Sequence, residues 1–170
     1  MKKIILLICL GTLLMAEQPQ PFKAKAVQPT QPFTGKIMQL QQKLDPMFGI
    51  PLDKYPKWHA EALLKNGHKA EFISVKSMMQ VYLHQEYFLK RNLLEDKIDK
   101  IYVKDYLTGE KADAKEAVYV FGSRIVGPHG DDLIPFASET NAKLFMMKNG
   151  GTKLLPYSKI TAGLLRYLDM

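Results

Sequence analysis

The chain has 170 residues, 46% hydrophobic and 24% charged, the proportions of an ordinary globular protein with room for one domain and a tail. Its one cysteine, Cys9, lies in an N-terminal apolar run. That excludes a disulfide framework, a cysteine-based zinc site and a cysteine nucleophile from a processed chain. The formal charge is +7; without Lys2 and Lys3 the 24 basic residues become 22 against 17 acidic ones, leaving +5. These charges are mixed along the chain, not gathered into the basic, aromatic-interleaved face of a nucleic-acid binder.

Lys2 and Lys3 precede an apolar run, Ile4 to Met15, and Ala16 supplies a small residue before the polar stretch at Glu17. This order is that of a secretory signal cleaved after Ala16. The run is shorter than the roughly 20 apolar residues of a stable membrane span. Lipid attachment at Cys9 is disfavoured by Leu6-Leu7-Ile8, which lack the small residues such processing needs. Residues 17–33 hold Pro19, Pro21, Pro29 and Pro32 among glutamines and lysines, a flexible leash without the apolar content to order itself. A single domain is expected over residues 34–170, opening with a short helix on Ile37, Leu40 and Leu44 that stops near Pro46.

Trp58, Ala60, Ala62 and Leu64 alternate with more polar neighbours, as in a half-buried strand, and Asn66-Gly67 signals a turn. A two-residue loop would set Ala62 against Glu71. A three-residue loop, Lys65-Asn66-Gly67 with Gly67 left-handed, pairs Ala62 with Ala70 and Ala60 with Phe72. Matching apolar with apolar selects the second register and leaves His59 on a polar face with Glu61 and Glu71.

Ser74 is a plausible N-cap for a helix over residues 76–90, with Met78, Val81, Tyr82, Phe88 and Leu89 as its buried stripe. Strands follow at residues 101–106 and 117–122 around a turn at Thr108-Gly109. Gly127-Pro128-His129-Gly130 requires a tight loop, and Leu133 to Phe136 a short extended piece. A helix from Ser138 ends at Gly150-Gly151, a strand spans residues 153–155, and a last helix runs from Ser158 to Leu168. Antiparallel β hairpins alternating with helices define an α+β class.

Several ordered segments together resemble the NosL family, accessory proteins for copper-centre assembly in nitrous oxide reductase. They are Gly49-Ile50-Pro51-Leu52-Asp53-Lys54-Tyr55-Pro56-Lys57-Trp58, Val103-Lys104-Asp105-Tyr106, Asp113-Ala114, Tyr119-Val120-Phe121-Gly122-Ser123, and Gly127-Pro128-His129-Gly130 with Leu133-Ile134-Pro135-Phe136. The resemblance runs from about residue 44 to 160. It implies a fold similar to the NosL and organomercurial lyase core, and an exported, periplasmic copper(I)-binding protein. The partners it implies are a membrane-associated copper-assembly system and nitrous oxide reductase.

The sequence departs from the family at its metal motif. Aligned on Gly49, the usual Cys-Pro-x-Cys-Gly-Met is here Asp45-Pro46-Met47-Phe48-Gly49-Ile50, and the usual Gly-Pro-Met-Gly is Gly127-Pro128-His129-Gly130. The candidate copper(I) donors are therefore His129 and Met47, since copper(I) favours thioether and imidazole where thiols are absent, together with Met78, because the resemblance implies a methionine near the start of the helix after the hairpin. Each has an ordinary alternative: His129 as an exposed loop residue bonded to Asp131 or Asp132, the two methionines as core filling. His59 near Glu61 and Glu71 is a weaker candidate, and His68 and His84 lack partners. Asp131-Asp132 is expected to be a solvated turn. No Ser-His-Asp order, phosphate-binding glycine loop or paired-histidine helix occurs, and carbon–mercury cleavage needs thiolates, so an enzyme is not expected. The alternative to copper binding is a metal-free periplasmic interaction module that has kept the fold.

Overall fold

A computed structural model describes residues 44–170. The signal, the leash and most of the helix expected over Ile37–Leu44 lie outside the described residues. Strand β1 (Ala60–Leu64) turns into β2 (Lys69–Phe72) with Ala60 opposite Phe72 and Ala62 opposite Ala70, the register expected from a three-residue loop. Leu64 N donates to His68 O at 2.8 Å and Gly67 N to Leu64 O at 3.0 Å. Gly67 has φ +84°, which a side chain would resist. Glu61 faces Glu71 on the outer side, and the Lys111 and Lys69 ammonium groups, at 2.6 and 3.5 Å, offset that repulsion.

After the hairpin, the Ser74 hydroxyl accepts from Ser77 N and starts helix α1 (Val75–Leu83). The single helix expected to Lys90 is interrupted at His84, where α2 (Gln85–Lys90) begins. The His84 ring bonds the Gln80 carbonyl at 2.9 Å, taking the acceptor that a continuous helix would offer to the His84 amide.

Strand β3 (Ile98–Lys104) pairs with β1 on one side and with β4 (Lys111–Asp113) on the other, giving a four-stranded antiparallel sheet in the order β2-β1-β3-β4. Strand β4 was not expected, because Lys-Ala-Asp carries no apolar alternation. The Thr108-Gly109 turn joins β3 to β4, not to the strand at residues 117–122. A second turn follows, in which the Asp113 carboxylate accepts from Lys115 N and its carbonyl from Ala117 N. It diverts the chain into β5 (Val118–Phe121), the centre of a separate three-stranded antiparallel sheet. The neighbours of β5 are β6 (Ile134–Phe136) and β7 (Lys153–Pro156).

Helix α3 (Glu139–Asn149) lies between β6 and β7 in sequence and packs on β5 and β6. It starts at the expected Ser138 cap and ends at Gly150, with φ +74°. The last helix, α4 (Ala162–Leu168), begins later than expected. Tyr157–Lys159 form a 3₁₀ turn, Ile160 is extended and buried, and Thr161 caps α4 through Leu164 N.

The larger core joins the inner face of the four-stranded sheet to α1 and α4, with Phe72, Met78, Met79, Ile101, Tyr119 and Leu165 fully enclosed. The smaller one gathers Trp58, Val120, Ile134, Phe136, Ala142 and Phe145. Burial of such side chains contributes roughly 1.5–3 kcal/mol each before chain entropy is counted. The two sheets, all of whose pairings are antiparallel, and the helices agree with the α+β class expected from sequence. No helix among the described residues is long and apolar enough to cross a membrane.

Candidate functional site

The segment 45–50 is a closed loop built by one carboxylate. Asp45 Oδ1 accepts from Met47 N at 3.0 Å and Phe48 N at 2.7 Å. The Asp45 carbonyl accepts from Gly49 N, and Asp45 N donates to Ile50 O. The other oxygen, Oδ2, accepts from Ile73 N at 2.8 Å and Ser77 Oγ at 2.6 Å, which anchors the loop to the start of α1. Asp45 is almost completely buried. With both oxygens doubly bonded, it has little capacity left to bind a metal. Pro46 and Met47 occupy the crest of the loop, and the Met47 side chain is exposed.

The second loop is the expected tight turn. Gly127 and Gly130 form an isolated antiparallel bridge, Gly127 N donating to Gly130 O at 2.8 Å. Gly127 admits no side chain, since a Cβ there would sit 2.7 Å from Asp132 Cβ. The turn presents His129 to solvent, with its ring stacked on Phe48 at 4.0 Å between centroids and 8° between planes. The structure thus brings together the two loops that carry His129 and Met47, through the ring at position 48. Stacking covers the face of the imidazole, while its nitrogens lie at the ring edge. Neither nitrogen has a hydrogen-bond partner among the described residues, so the alternative of a ring bonded to Asp131 or Asp132 is not formed.

Met78 is placed differently. It is fully buried in the larger core beside Met79, among apolar side chains. His59 bonds the Leu52 carbonyl through Nε2, His68 pairs with Glu95 at 2.7 Å, and His84 is engaged with its own helix. Among the described residues, no group of three His, Cys, Asp or Glu side chains is arranged to hold a metal.

Two charged groups lie beneath the loops, and no local sequence pattern marks either of them. Lys76, the second residue of α1, is completely enclosed. Its Nζ donates to His129 O at 2.6 Å and Leu168 O at 3.2 Å, and pairs with Asp169 Oδ1 at 3.0 Å. It also lies 5.7 Å from the centre of the Phe48 ring. Asp132, expected in a solvated turn, is buried; only Asp131 faces water. Adjacent side chains diverge here because Asp132 Oδ1 turns inward to accept from Lys76 N at 2.9 Å and Leu133 N at 2.8 Å. Its Oδ2 has no hydrogen-bond partner among the described residues. Burial raises the Asp132 carboxyl to about 6, against the opposing pull of the Ser74 hydroxyl, the Leu133 and Lys76 amides and the Lys76 ammonium.

The junction has two chemically distinct sides. Inside, among the described residues, stand an ammonium group, a phenyl ring, the fully engaged Asp45 carboxylate and Asp132 with one unpartnered oxygen, and no group of three His, Cys, Asp or Glu side chains. Outside, the Met47 side chain and the His129 imidazole are both exposed on the two loops that the Phe48 ring joins.

The family model described as NosL matches residues 38–165. Among solved structures, the copper chaperone NosL from Shewanella denitrificans superposes with a TM-score of 0.60 at 21% identity, over 74% of this chain and 98% of that one. At that identity the likeness speaks to the fold. The apo-NosL protein from Achromobacter cycloclastes, determined by NMR, aligns at 22% identity over 62% of this chain and 87% of that one, with a TM-score of 0.39. No curated protein matches the sequence significantly.

Proposed function

Because the chain belongs to the NosL family, we propose that it is an exported copper(I)-binding accessory protein that holds or delivers copper for assembly of a nitrous oxide reductase copper centre. Copper is its cargo, not a resident cofactor. One observation carries the reading: the Phe48–His129 stack joins the loop bearing the Met47 thioether to the loop bearing the His129 imidazole, with both donor residues exposed. A site of two accessible donors suits a carrier, which must release its metal as well as hold it. Met78 contributes to the core beneath, not to the donor pair. The role is non-catalytic. Its setting would be the periplasm, reached through a cleaved N-terminal signal, and its partners a membrane-associated copper-assembly system and the reductase.

Competition against a colorimetric copper(I) chelator tests the reading. Binding at one copper per chain, tighter than micromolar and weakened at least tenfold by combined His129→Ala and Met47→Ala, is expected. Absence of binding, or binding indifferent to both changes, contradicts it.

A second reading, a metal-free interaction module, is favoured by a specific feature. Asp45 and Phe48, at the positions of the family's cysteines, complete a hydrogen-bonded and stacked loop without any metal. Under this reading copper(I) titration is blank, while a periplasmic protein partner is recovered with the purified chain. Copper in the purified protein and no recovered partner would exclude it.

A further inference from the structure

We propose that the Lys76 ammonium is the built-in cation of the two-loop junction: it cross-links the His129 turn to the C-terminal end of α4 and excludes metal ions from the interior. Copper is thereby confined to the exposed side. The exclusion from the interior stands on the geometry of Lys76, whereas the confinement of copper rests on the reading given above.

A buried ammonium is stable only when its hydrogen-bonding capacity is met, and lysine offers three protons. Lys76 meets three acceptors: the His129 carbonyl, the Leu168 carbonyl and the Asp169 carboxylate, at 2.6, 3.2 and 3.0 Å. Two backbone carbonyls and a carboxylate are the hard oxygen donors that a bound cation would otherwise gather. They come from sequence positions 53 and more residues away from Lys76, so the group ties together segments that no backbone pairing joins. The side chain has no measurable exposure, whereas Asp169 is about one-third exposed. The charge is thus enclosed, with its counter-ion at the rim.

The surroundings oppose a second cation. The Phe48 ring stands 5.7 Å from Lys76 Nζ and gives its negative face to a cation already present. Of the nearby carboxylates, Asp45 spends both oxygens on Met47 N, Phe48 N, Ile73 N and Ser77 Oγ. Asp132 holds Lys76 N and Leu133 N through Oδ1, which leaves Oδ2 as a single unpartnered oxygen among the described residues, one donor where a metal needs several. A monovalent metal about 6 Å from the ammonium, at an effective dielectric of about 20, would lose roughly a hundredfold in occupancy by repulsion alone. Lysine 76 therefore determines which side of the junction can take metal.

Lys76→Met tests this, because it removes the charge, keeps an unbranched side chain and adds a thioether. Two readouts are taken on the purified chain. The first, in metal-free buffer with chelator, is amide hydrogen exchange over Gly127–Gly130, expected at least tenfold faster in the variant. The second is copper(I) competition, expected at least tenfold tighter in the variant than in the native chain. Unchanged exchange overturns the cross-link whatever copper does. Faster exchange with no copper(I) binding by either chain supports the cross-link and defeats the copper reading instead. Copper bound equally by both chains overturns the exclusion. Should Lys76→Met fail to fold, Asp169→Asn at the rim removes the counter-charge alone; exchange at the same amides is then expected about threefold faster, and no change overturns the proposal.

Discussion

The loops 45–50 and 105–110 are built alike. Asp105 Oδ1 accepts from Leu107 N and Thr108 N at 2.8 and 2.9 Å, as Asp45 Oδ1 does from Met47 N and Phe48 N. In each, the carbonyl of the aspartate accepts from a glycine four residues on, and its amide donates to the carbonyl of the fifth. Gly49 and Gly109 both have positive φ, +65° and +77°. Each aspartate is nearly fully buried and uses its second oxygen to reach a distant segment, Ile73 and Ser77 in one case and Ala137 in the other. One loop is an ordinary connection between β3 and β4; the other occupies the place of the family's cysteine motif. Asp45 is thus a loop-building residue, as Asp105 is. It performs the folding task of the loop with oxygen, and the functional difference lies in what the crest meets: solvent beyond Leu107, the His129 turn beyond Met47 and Phe48.

Removing either carboxylate should have the largest effect. Asp45→Ala strips acceptors from four buried or half-buried donors and is expected to cost about 4 kcal/mol; Asp105→Ala, which strips three, about 3 kcal/mol. Denaturant unfolding measures both. Only Asp45→Ala should also alter the fluorescence-independent markers of the His129 turn, such as its ring NMR shifts. Equal shifts at His129 in the two variants would erase the distinction between the loops.

Asp132 sharpens the difference from below. Its carboxyl is raised from 3.8 to about 6, so between those values the native state holds a proton that the unfolded chain has released. Its contribution to stability is therefore present at low pH and is lost as pH rises through this window, by about 2–3 kcal/mol. Asp132→Asn should flatten that part of the profile, seen as a changing stability difference from the native chain between pH 4 and 6. A constant difference would contradict the assignment.

The glycines give the smallest and most nearly equal effects. Gly49→Ala and Gly109→Ala each force an alanine into the left-handed region, with open space or only an ordinary contact around the new Cβ. Each should cost about 1 kcal/mol, read by thermal unfolding. A loss several-fold larger at Gly49 would mean that its loop is under constraints absent from its counterpart.

Much of this was legible in the sequence, and the reasons are local. Gly67 and the matching of Ala62 with Ala70 specify the hairpin register, Ser74 and Ser138 cap the helices they precede, and the paired glycines around Pro128-His129 define a turn. The Asp-x-x-x-Gly spacing shared by residues 45–49 and 105–109 was also visible, and could have identified Asp45 as a loop-building residue. What escaped depends on partners far along the chain. Strand β4 is polar and exists because β3 lies beside it. The break at His84 depends on which way an imidazole turns. Lys76 looks like any solvated lysine until residues 129, 168 and 169 converge on it, and Asp132 looks like its exposed neighbour.

X-ray absorption at the copper edge, on chain loaded with one equivalent of copper(I), tests whether His129 and Met47 hold the metal. The expected result is a low-coordinate ion with one imidazole nitrogen and one thioether sulfur, the sulfur signal lost in Met47→Leu and the imidazole signal lost in His129→Ala. A loaded site whose spectrum is unchanged by both substitutions, or a chain that takes up no copper(I), would contradict it.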